Sequence, residues 1–395
     1  MDEKPFPIPD DVATIDPADL YQRLDDDQNF GVLDTRAPAD VDDWIIDGDS
    51  VTFANVPYYQ FLDGVPEDAL ADLPDARPLY TVCAKGLSSK FVADELAKAG
   101  VEDVVAVEDG MEGWETVLAE TELSADTDAT VVQFYRPSSG CLSYLVVHDG
   151  EAVVVDPLHA FADEYIEAAQ RRDAELVAAL DTHVHADHVS GVRTLAREYG
   201  VQAFVPAAAA ERGIDYDVAY DTVADGERVS VGGVAIEAVH TPGHTTGMTS
   251  YLVDDAVLLT GDGLFLESVA RPDLEGGDEG APEAARQLYH TLLERILTLE
   301  DATLVAPGHV SDGARQAADG SYTDTLGDIV DAMPALDRDR ESFVEFVLSD
   351  MPPRPENYED IIATNLGQRA LGADAAELER GPNNCAATTE AMTGQ

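Results

Sequence analysis

The sequence predicts two α/β domains in series, a small one on a parallel sheet and a larger one that mixes antiparallel strands with helices. Three observations carry that reading. The chain's 395 residues exceed what one ordinary domain uses. From about Ile15 to Leu118 short apolar runs alternate with helix-like stretches, as parallel strands joined by crossing helices do. Beyond about Val131 the apolar runs come in close pairs around tight turns, the signature of hairpins.

In the first domain, expected over residues 10–120, Phe30 to Leu33 and Leu79 to Val82 read as strands. Ser88 or Ser89 is expected to cap a helix through Phe91, Leu96 and Ala97 that Gly100 stops. Val104 to Val107 reads as the next strand. The polar, acidic stretch from Thr121 to Thr130 lacks periodicity and is the expected linker. In the second domain, expected over residues 128–372, Leu142 to Val147 and Ala152 to Val155 flank His148-Asp149-Gly150. Thr249 to Val253 and Ala256 to Leu259 flank Asp254-Asp255 in the same way, and Glu175 to Leu180 is a further strand. Amphipathic helices are predicted at Val189 to Tyr199, Pro282 to Leu299 and Arg340 to Leu348. A helical extension containing the rigid segment Met351-Pro352-Pro353-Arg354-Pro355 is expected to cover the core, with a place over the metal pocket or in a subunit contact as the alternatives. Residues 373–395 are small and polar, the composition of a mobile tail.

Lysine and arginine number 23 against 79 aspartates and glutamates, for a net charge of −56. Such a balance repels phosphate backbones and anionic lipid, so neither nucleic acid nor membrane is expected as a partner. Hydrophobic residues at 45% still supply cores, which makes the acidity a solvated coat on folded domains. Only Lys4, Lys85, Lys90 and Lys98 are lysines. An acidic, lysine-poor surface resembles proteins of salt-loving cells, where ionic strength screens self-repulsion. Cys83, Cys141 and Cys385 form no CxxC pair, which argues against a disulfide framework and for a reducing cytoplasm. The N-terminus lacks an apolar signal core, and no run approaches the roughly 18 apolar residues of a membrane span. No residue pattern decides self-association, and a homo-oligomer stays open.

The strongest chemical signal is Thr182-His183-Val184-His185-Ala186-Asp187-His188, directly after an apolar strand. In extended chain, residues two apart point the same way. His183 and His185 can therefore converge on one ion while Asp187 and His188 enter the turn beside it. His244, Asp262 and His309 each follow another apolar run, in Pro242-Gly243-His244, Thr260-Gly261-Asp262 and Pro307-Gly308-His309. Five of the nine histidines thus fall at predicted strand ends, whereas solvated histidines would scatter. Any one of them alone would read as a polar loop residue; the set reads as a metal centre. His148, His159, His240 and His290 are expected to be structural, and so are Cys141 and Cys385.

This HxHxDH motif with later His, Asp and His resembles the metallo-β-lactamase superfamily over about Val131 to His309. The resemblance implies an αββα sandwich with the metal at one sheet edge, and one of two chemistries. Hydrolases of the glyoxalase II type would hold two Zn(II), one on His183, His185, His244 and Asp262 and the other on Asp187, His188, His309 and Asp262. Persulfide dioxygenases would hold one Fe(II) on His183, His244 and Asp262, with His185, Asp187, His188 and His309 around it. That two-His, one-carboxylate set leaves positions open for substrate sulfur and O₂. Ala270-Arg271-Pro272-Asp273 is similar to the GRxD segment of persulfide dioxygenases, with Ala270 in place of Gly. Arg271 would orient the neighbourhood of Asp262, meet a substrate carboxylate, or pair with Asp273 in a turn.

In the first domain, Cys83-Ala84-Lys85-Gly86-Leu87-Ser88-Ser89 runs from a strand end into a helix. Loop amides and the helix N-terminus favour negative charge on the sulfur, and Lys85 and Lys90 are expected to give it a cationic surround. A phosphatase would need Arg where Ser89 stands. The loop resembles that of a rhodanese sulfurtransferase, as do Leu33-Asp34-Thr35-Arg36 and Gly110-Met111-Glu112-Gly113-Trp114. That resemblance implies Cys83 as the sulfur carrier, with Lys85, Gly86 and Ser88 in the loop that holds its persulfide. Together the two resemblances imply sulfane-sulfur metabolism: oxidation of a low-molecular-weight thiol persulfide by O₂ to sulfite and thiol, coupled to rhodanese transfer. The alternative they imply is a dinuclear zinc thioester hydrolase with an accessory sulfurtransferase.

Overall fold

A computed structural model describes residues 6–9, 11–41, 44–310, 314–349, 351–372, 375–380 and 385–387. The chain divides into two compact units. One runs up to Ala119 and includes Arg136–Ser139; the other is Glu120–Tyr135 and the chain from Gly140 onward.

The first unit is built on a parallel sheet in the order Thr14–Ile15, Val104–Val107, Leu79–Val82, Phe30–Asp34, Val51–Asn55. Phe30–Asp34 and Leu79–Val82 are buried along their whole length, as central strands covered on both faces must be. One face packs Leu20, Val32, Tyr80 and Trp114, the other Leu33, Phe61, Phe91 and Leu96. The helix after the cysteine loop is Leu87–Lys98, and its start differs from expectation. Gly86, at φ 68°, makes the left-handed turn that opens it, so Ser88 and Ser89 fall inside its first turn rather than before it. Gly100, at φ 91°, follows its end as predicted.

The second unit is a sandwich. Its first sheet runs Tyr220–Val223, Gln202–Pro206, Glu175–Leu180, Glu151–Val155, Cys141–His148, Thr130–Arg136, Ala119–Glu122. The second runs Arg228–Val231, Val234–His240, Thr249–Val253, Val257–Gly261, Leu304–Pro307, Asp324–Thr325. Both predicted hairpins are present as antiparallel pairs. Tyr144, Val146, Val153 and Leu180 from one sheet meet Ile236, Tyr251, Val253 and Leu259 from the other in a shared core. Helix Ala162–Arg171 buries Tyr165 and Ala168 on the first sheet, and Gly277–Thr291 packs Leu288 with Leu252, Leu258 and Val305 of the second. The layering is therefore helix, sheet, sheet, helix.

Three expectations are revised. The supposed linker is partly sheet: Ala119–Glu122 is an edge strand, and Leu123 is buried with its N–H on Val131 O at 2.9 Å. Leu123 and Ala129, both in the core, anchor a stretch whose composition looks like loop. The helix predicted from Val189 begins at Val192, because Val189 and Ser190 donate their N–H groups to side chains far along the chain. Most of the expected mobile tail, 373–395, lies outside the described residues. Its described part is packed: Cys385 and Ala387 are buried and Ala386 bridges to Ala270. No described helix is long and apolar enough to cross a membrane.

Candidate metal centre

Each ligand candidate stands where a strand of the sandwich has just ended. Glu175–Leu180 leads into His183, Val234–His240 into His244, Val257–Gly261 into Asp262 and Leu304–Pro307 into His309. Gly308 allows the last two to meet, since a Cβ there would stand 2.7 Å from Asp262 Oδ1.

His183, His244 and Asp262 come together, with ligand atoms within 4.8 Å of one another. His183 Nε2 and His244 Nε2 each lie 3.6 Å from Asp262 Oδ2. All three atoms are buried and none has a hydrogen-bond partner among the described residues. An unsatisfied buried polar group costs about 1–3 kcal/mol, so three converging on one point mark a site that a ligand completes. Two imidazole nitrogens and a carboxylate oxygen are a cation's donor set.

The far side of each ligand is held. Thr182 Oγ1 donates to Asp156 Oδ2 at 2.8 Å and lies 2.9 Å from His183 Nδ1. His244 Nδ1 donates to the Arg271 carbonyl at 3.0 Å, which fixes the tautomer that presents Nε2 as a lone pair. His309 Nδ1 lies 2.7 Å from Asp262 Oδ1. Burial, and then the charge of His185, push His183 well below the usual imidazole range; burial also lowers His244. Burial works against the Asp262 carboxylate, but His309 beside it holds its pKa well below the ordinary value. Neutral imidazoles and an ionised carboxylate are the forms that ligate.

The other four candidates are engaged differently. His309 places its two nitrogens against Asp262 Oδ1 and, at 2.8 Å, Asp187 Oδ2; His188 Nδ1 lies 2.9 Å from that same Asp187 oxygen. His185 belongs to a separate buried group with Asp156 and Asp181, its Nε2 3.1 Å from Asp156 Oδ1. Burial and His188 oppose a charge on His185, yet the two aspartates lift its pKa to about 9.

Two cysteines expected to be inert lie in this region. Cys141 Sγ is 3.4 Å from Asp187 Oδ2 and 3.7 Å from His309 Nε2, and Cys385 groups with Asp187, Asp262 and His309. Asp156 and Asp181 also follow strand ends, the same signal that marked the histidines. Arg271 adopts the turn pairing among its expected roles. Its Nε and Nη2 donate to Asp273 at 2.7 and 3.0 Å and its Nη1 to Pro353 O at 2.8 Å. It reaches the metal group through its backbone carbonyl.

In the other unit, Cys83 is buried directly after Leu79–Val82, and its thiol donates to Ser89 Oγ at 3.3 Å. The carbonyls of Cys83 and Ala84 accept from Met111 N at 2.8 Å and Glu112 N at 3.0 Å, so Gly110–Trp114 shapes the loop. Lys85 does not form the expected cationic surround; it is largely exposed and pairs with Glu112 at 3.1 Å, a nearby carboxylate having captured it. Gly86 and Ser88 stand at the helix start, and Ser89 is the polar side chain at the sulfur.

The family model described as Metallo-beta-lactamase superfamily matches residues 137–309, and the one described as Rhodanese-like domain matches residues 16–116. Hydroxyacylglutathione hydrolase of Acidiphilium cryptum is 35% identical over 167 residues, 42% of this chain, which spans 63% of that protein. The mitochondrial persulfide dioxygenase ETHE1 of Homo sapiens is 27% identical over 240 residues, covering 59% of this chain and 86% of that protein. The crystal structure of ETHE1 from Myxococcus xanthus superposes with a TM-score of 0.52 at 27% identity, over 60% of this chain and 98% of that one.

Proposed function

The chain belongs to the metallo-beta-lactamase superfamily and carries a rhodanese-like domain ahead of that fold, and from this premise we propose that it oxidises a low-molecular-weight thiol persulfide with O₂ to sulfite and free thiol, using one Fe(II). One observation carries the reading. Of the four groups of metal-ligating side chains among the described residues, the one formed by His183, His244 and Asp262 has an unpartnered buried atom on every member, whereas in the others such atoms occur on some members, as on His185 and His188, but not on all. Both groups containing His309 have its two nitrogens already bonded to carboxylates, and in the group with His185 both Asp156 oxygens are bonded. Iron held by His183, His244 and Asp262 would supply a redox centre able to take persulfide sulfur and dioxygen. The chain's own part is to hold that face. His309 keeps Asp262 ionised and oriented, and the Arg271 carbonyl keeps His244 in its ligating tautomer.

The rhodanese-like part, within residues 10–120, works on the same small thiol, Cys83 exchanging sulfane sulfur with it; the metal domain, expected over residues 128–372, takes in the edge strand Ala119–Glu122 and the packed residues Glu379 and Cys385 as well. A small thiol persulfide as substrate suits a reducing cytoplasm, as does the lack of a disulfide among the described cysteines.

A second reading, the dinuclear zinc thioester hydrolase, draws on the 35% identity to hydroxyacylglutathione hydrolase and on the compact group of Asp187, His188 and His309. Metal analysis of protein purified without air, followed by O₂ uptake with a thiol persulfide, separates the two. About one iron per chain with O₂ consumption and sulfite formation is expected. Two zinc ions with thioester turnover and no O₂ uptake would establish the hydrolase instead.

A further inference from the structure

The superfamily match ends at residue 309, yet the loop that carries His183 to His188 is held from beyond it. We propose that the C-terminal extension is a clamp on the metal-binding loops and that Asn365 is its principal positioning residue. Asn365 is 4% exposed at the end of helix Tyr358–Asn365. Its Nδ2 donates to His185 O at 3.0 Å and to His188 O at 2.8 Å, and its Oδ1 accepts from Ser190 N at 2.9 Å. Glu379 Oε1 accepts the adjacent Val189 N at 2.7 Å.

The loop needs such partners. Residues 181–190 are all buried and lie outside the helices and strands. Asp181 N, Thr182 O and Val189 O find backbone partners and Ser190 makes one isolated bridge to Leu158, while the carbonyls of His185 and His188 and the amides of Val189 and Ser190 bond to side chains of the extension. A carboxamide supplies two donors and an acceptor on one plane, which matches two carbonyls and an amide of a tight turn. A carboxylate lacks the donors, and an aliphatic side chain lacks all three.

The same extension reaches the second histidine ligand. Pro353 O accepts from Arg271 Nη1 at 2.8 Å, Arg354 Nε donates to Asp273 Oδ2 at 2.9 Å, and Arg271 N donates to Cys385 O at 3.3 Å. Arg271 in turn holds His244 Nδ1 through its carbonyl. The loops bearing His183 and His244 are thus both set by Pro353, Arg354, Asn365, Glu379 and Cys385 of the extension. Partners behind metal ligands typically change affinity by about 10–100-fold when removed.

The inference rests on His183, His244 and Asp262 being metal ligands, and is independent of which metal or reaction they serve. The test is cobalt(II) titration of the full-length apo chain against a chelator, with the visible cobalt spectrum and the melting of apo and loaded protein recorded. Asn365→Ala and Asn365→Asp are expected to lose about 10–100-fold in affinity and to alter the cobalt spectrum, with the loaded protein losing more in melting temperature than the apo. Wild-type affinity and spectrum in either variant would overturn the clamp. So would equal falls in apo and loaded melting with affinity intact, which is what a merely structural asparagine gives. If the buried variants do not fold, Arg354→Ala at the partly exposed end of the clamp is expected to speed cobalt release, and unchanged release would overturn it. A wild-type chain that takes up no cobalt would sink the ligand reading and the clamp together.

Discussion

His309 links two of the buried ligand-type groups, one with Asp187, His188 and Cys141 and one with Asp187, Asp262 and Cys385. Burial opposes a charge on its ring, but Asp262 and Asp187, one at each nitrogen, raise its pKa well above the ordinary value. His309 therefore stands between the two carboxylates, with Nδ1 against Asp262 Oδ1 and Nε2 against Asp187 Oδ2, and orients Asp262 from behind. The expected outcome is a split between variants. His183→Ala should cut metal affinity by more than the roughly 100-fold upper range for an outer partner, while His188→Ala should keep about one iron per chain. Iron analysis of both after anaerobic purification checks it, and equal loss in both would end the one-ion account. That His183, His244, Asp262 and His309 lie close together was legible because each comes within a few residues of the end of a largely apolar strand. Cys141 was not, because a cysteine opening an apolar strand reads as core until Gly308 O is found on Leu142 N at 2.8 Å, drawing that strand end against His309. Cys385 carries no local signal, since its place depends on a pairing with Ala270 and Arg271 more than a hundred residues away in sequence. For Arg271 the carboxylate two residues on decided its partner, a short-range capture that charge type alone does not reveal.

At the scale of elements, the cysteine loop is shaped as much by the short helix Gly110–Trp114 as by its own residues. A Cβ on Gly110 would stand 1.9 Å from Cys83 O, and the residue sits at φ 61°, where side chains other than glycine are strained. Gly110→Ala is therefore expected to destabilise the first unit by about 1–3 kcal/mol from backbone strain alone, with the clash added to it. Sulfur transfer from thiosulfate to a thiol should fall with it, while iron content stays unchanged. Transfer rate, melting and metal analysis on one preparation give the answer, and full transfer activity would show that the contact does not set the loop. Strands such as Leu79–Val82 were read from sequence to the residue because a central parallel strand is apolar throughout. The helix start at Gly86 was misplaced onto serines because capping preference is a weak signal beside a glycine that can take the left-handed turn. Residues 121–130 show the complementary failure, in which buried Leu123 and Ala129 and hydrogen bonds to the distant Asp254 and Asp319 order a segment that polar composition marks as linker.

Over the whole molecule, the acidic surface governs how stability responds to solution conditions. With 79 acidic side chains against 23 basic ones, a net −56 is spread over two folded units. At about 0.01 M salt the screening length is roughly 30 Å, comparable with a domain, so surface carboxylates across each unit repel one another; at about 1 M it shrinks to roughly 3 Å. Exposed ion pairs such as Arg228 with Glu237 and Arg286 with Glu283 are weakened by the same salt. Each contributes only about 0–1 kcal/mol, and basic partners are outnumbered, so relief of repulsion sets the sign. The melting temperature is expected to rise by roughly 10 °C between low and molar KCl, as a gain of several kcal/mol gives in a chain of this size. Sucrose strengthens burial without screening charge, and should not substitute for the salt. Thermal melts in a KCl series with a sucrose series alongside distinguish the two causes. A melting temperature that is flat in KCl, or that climbs equally in sucrose, would mean that the carboxylates are spaced widely enough to be tolerated unscreened.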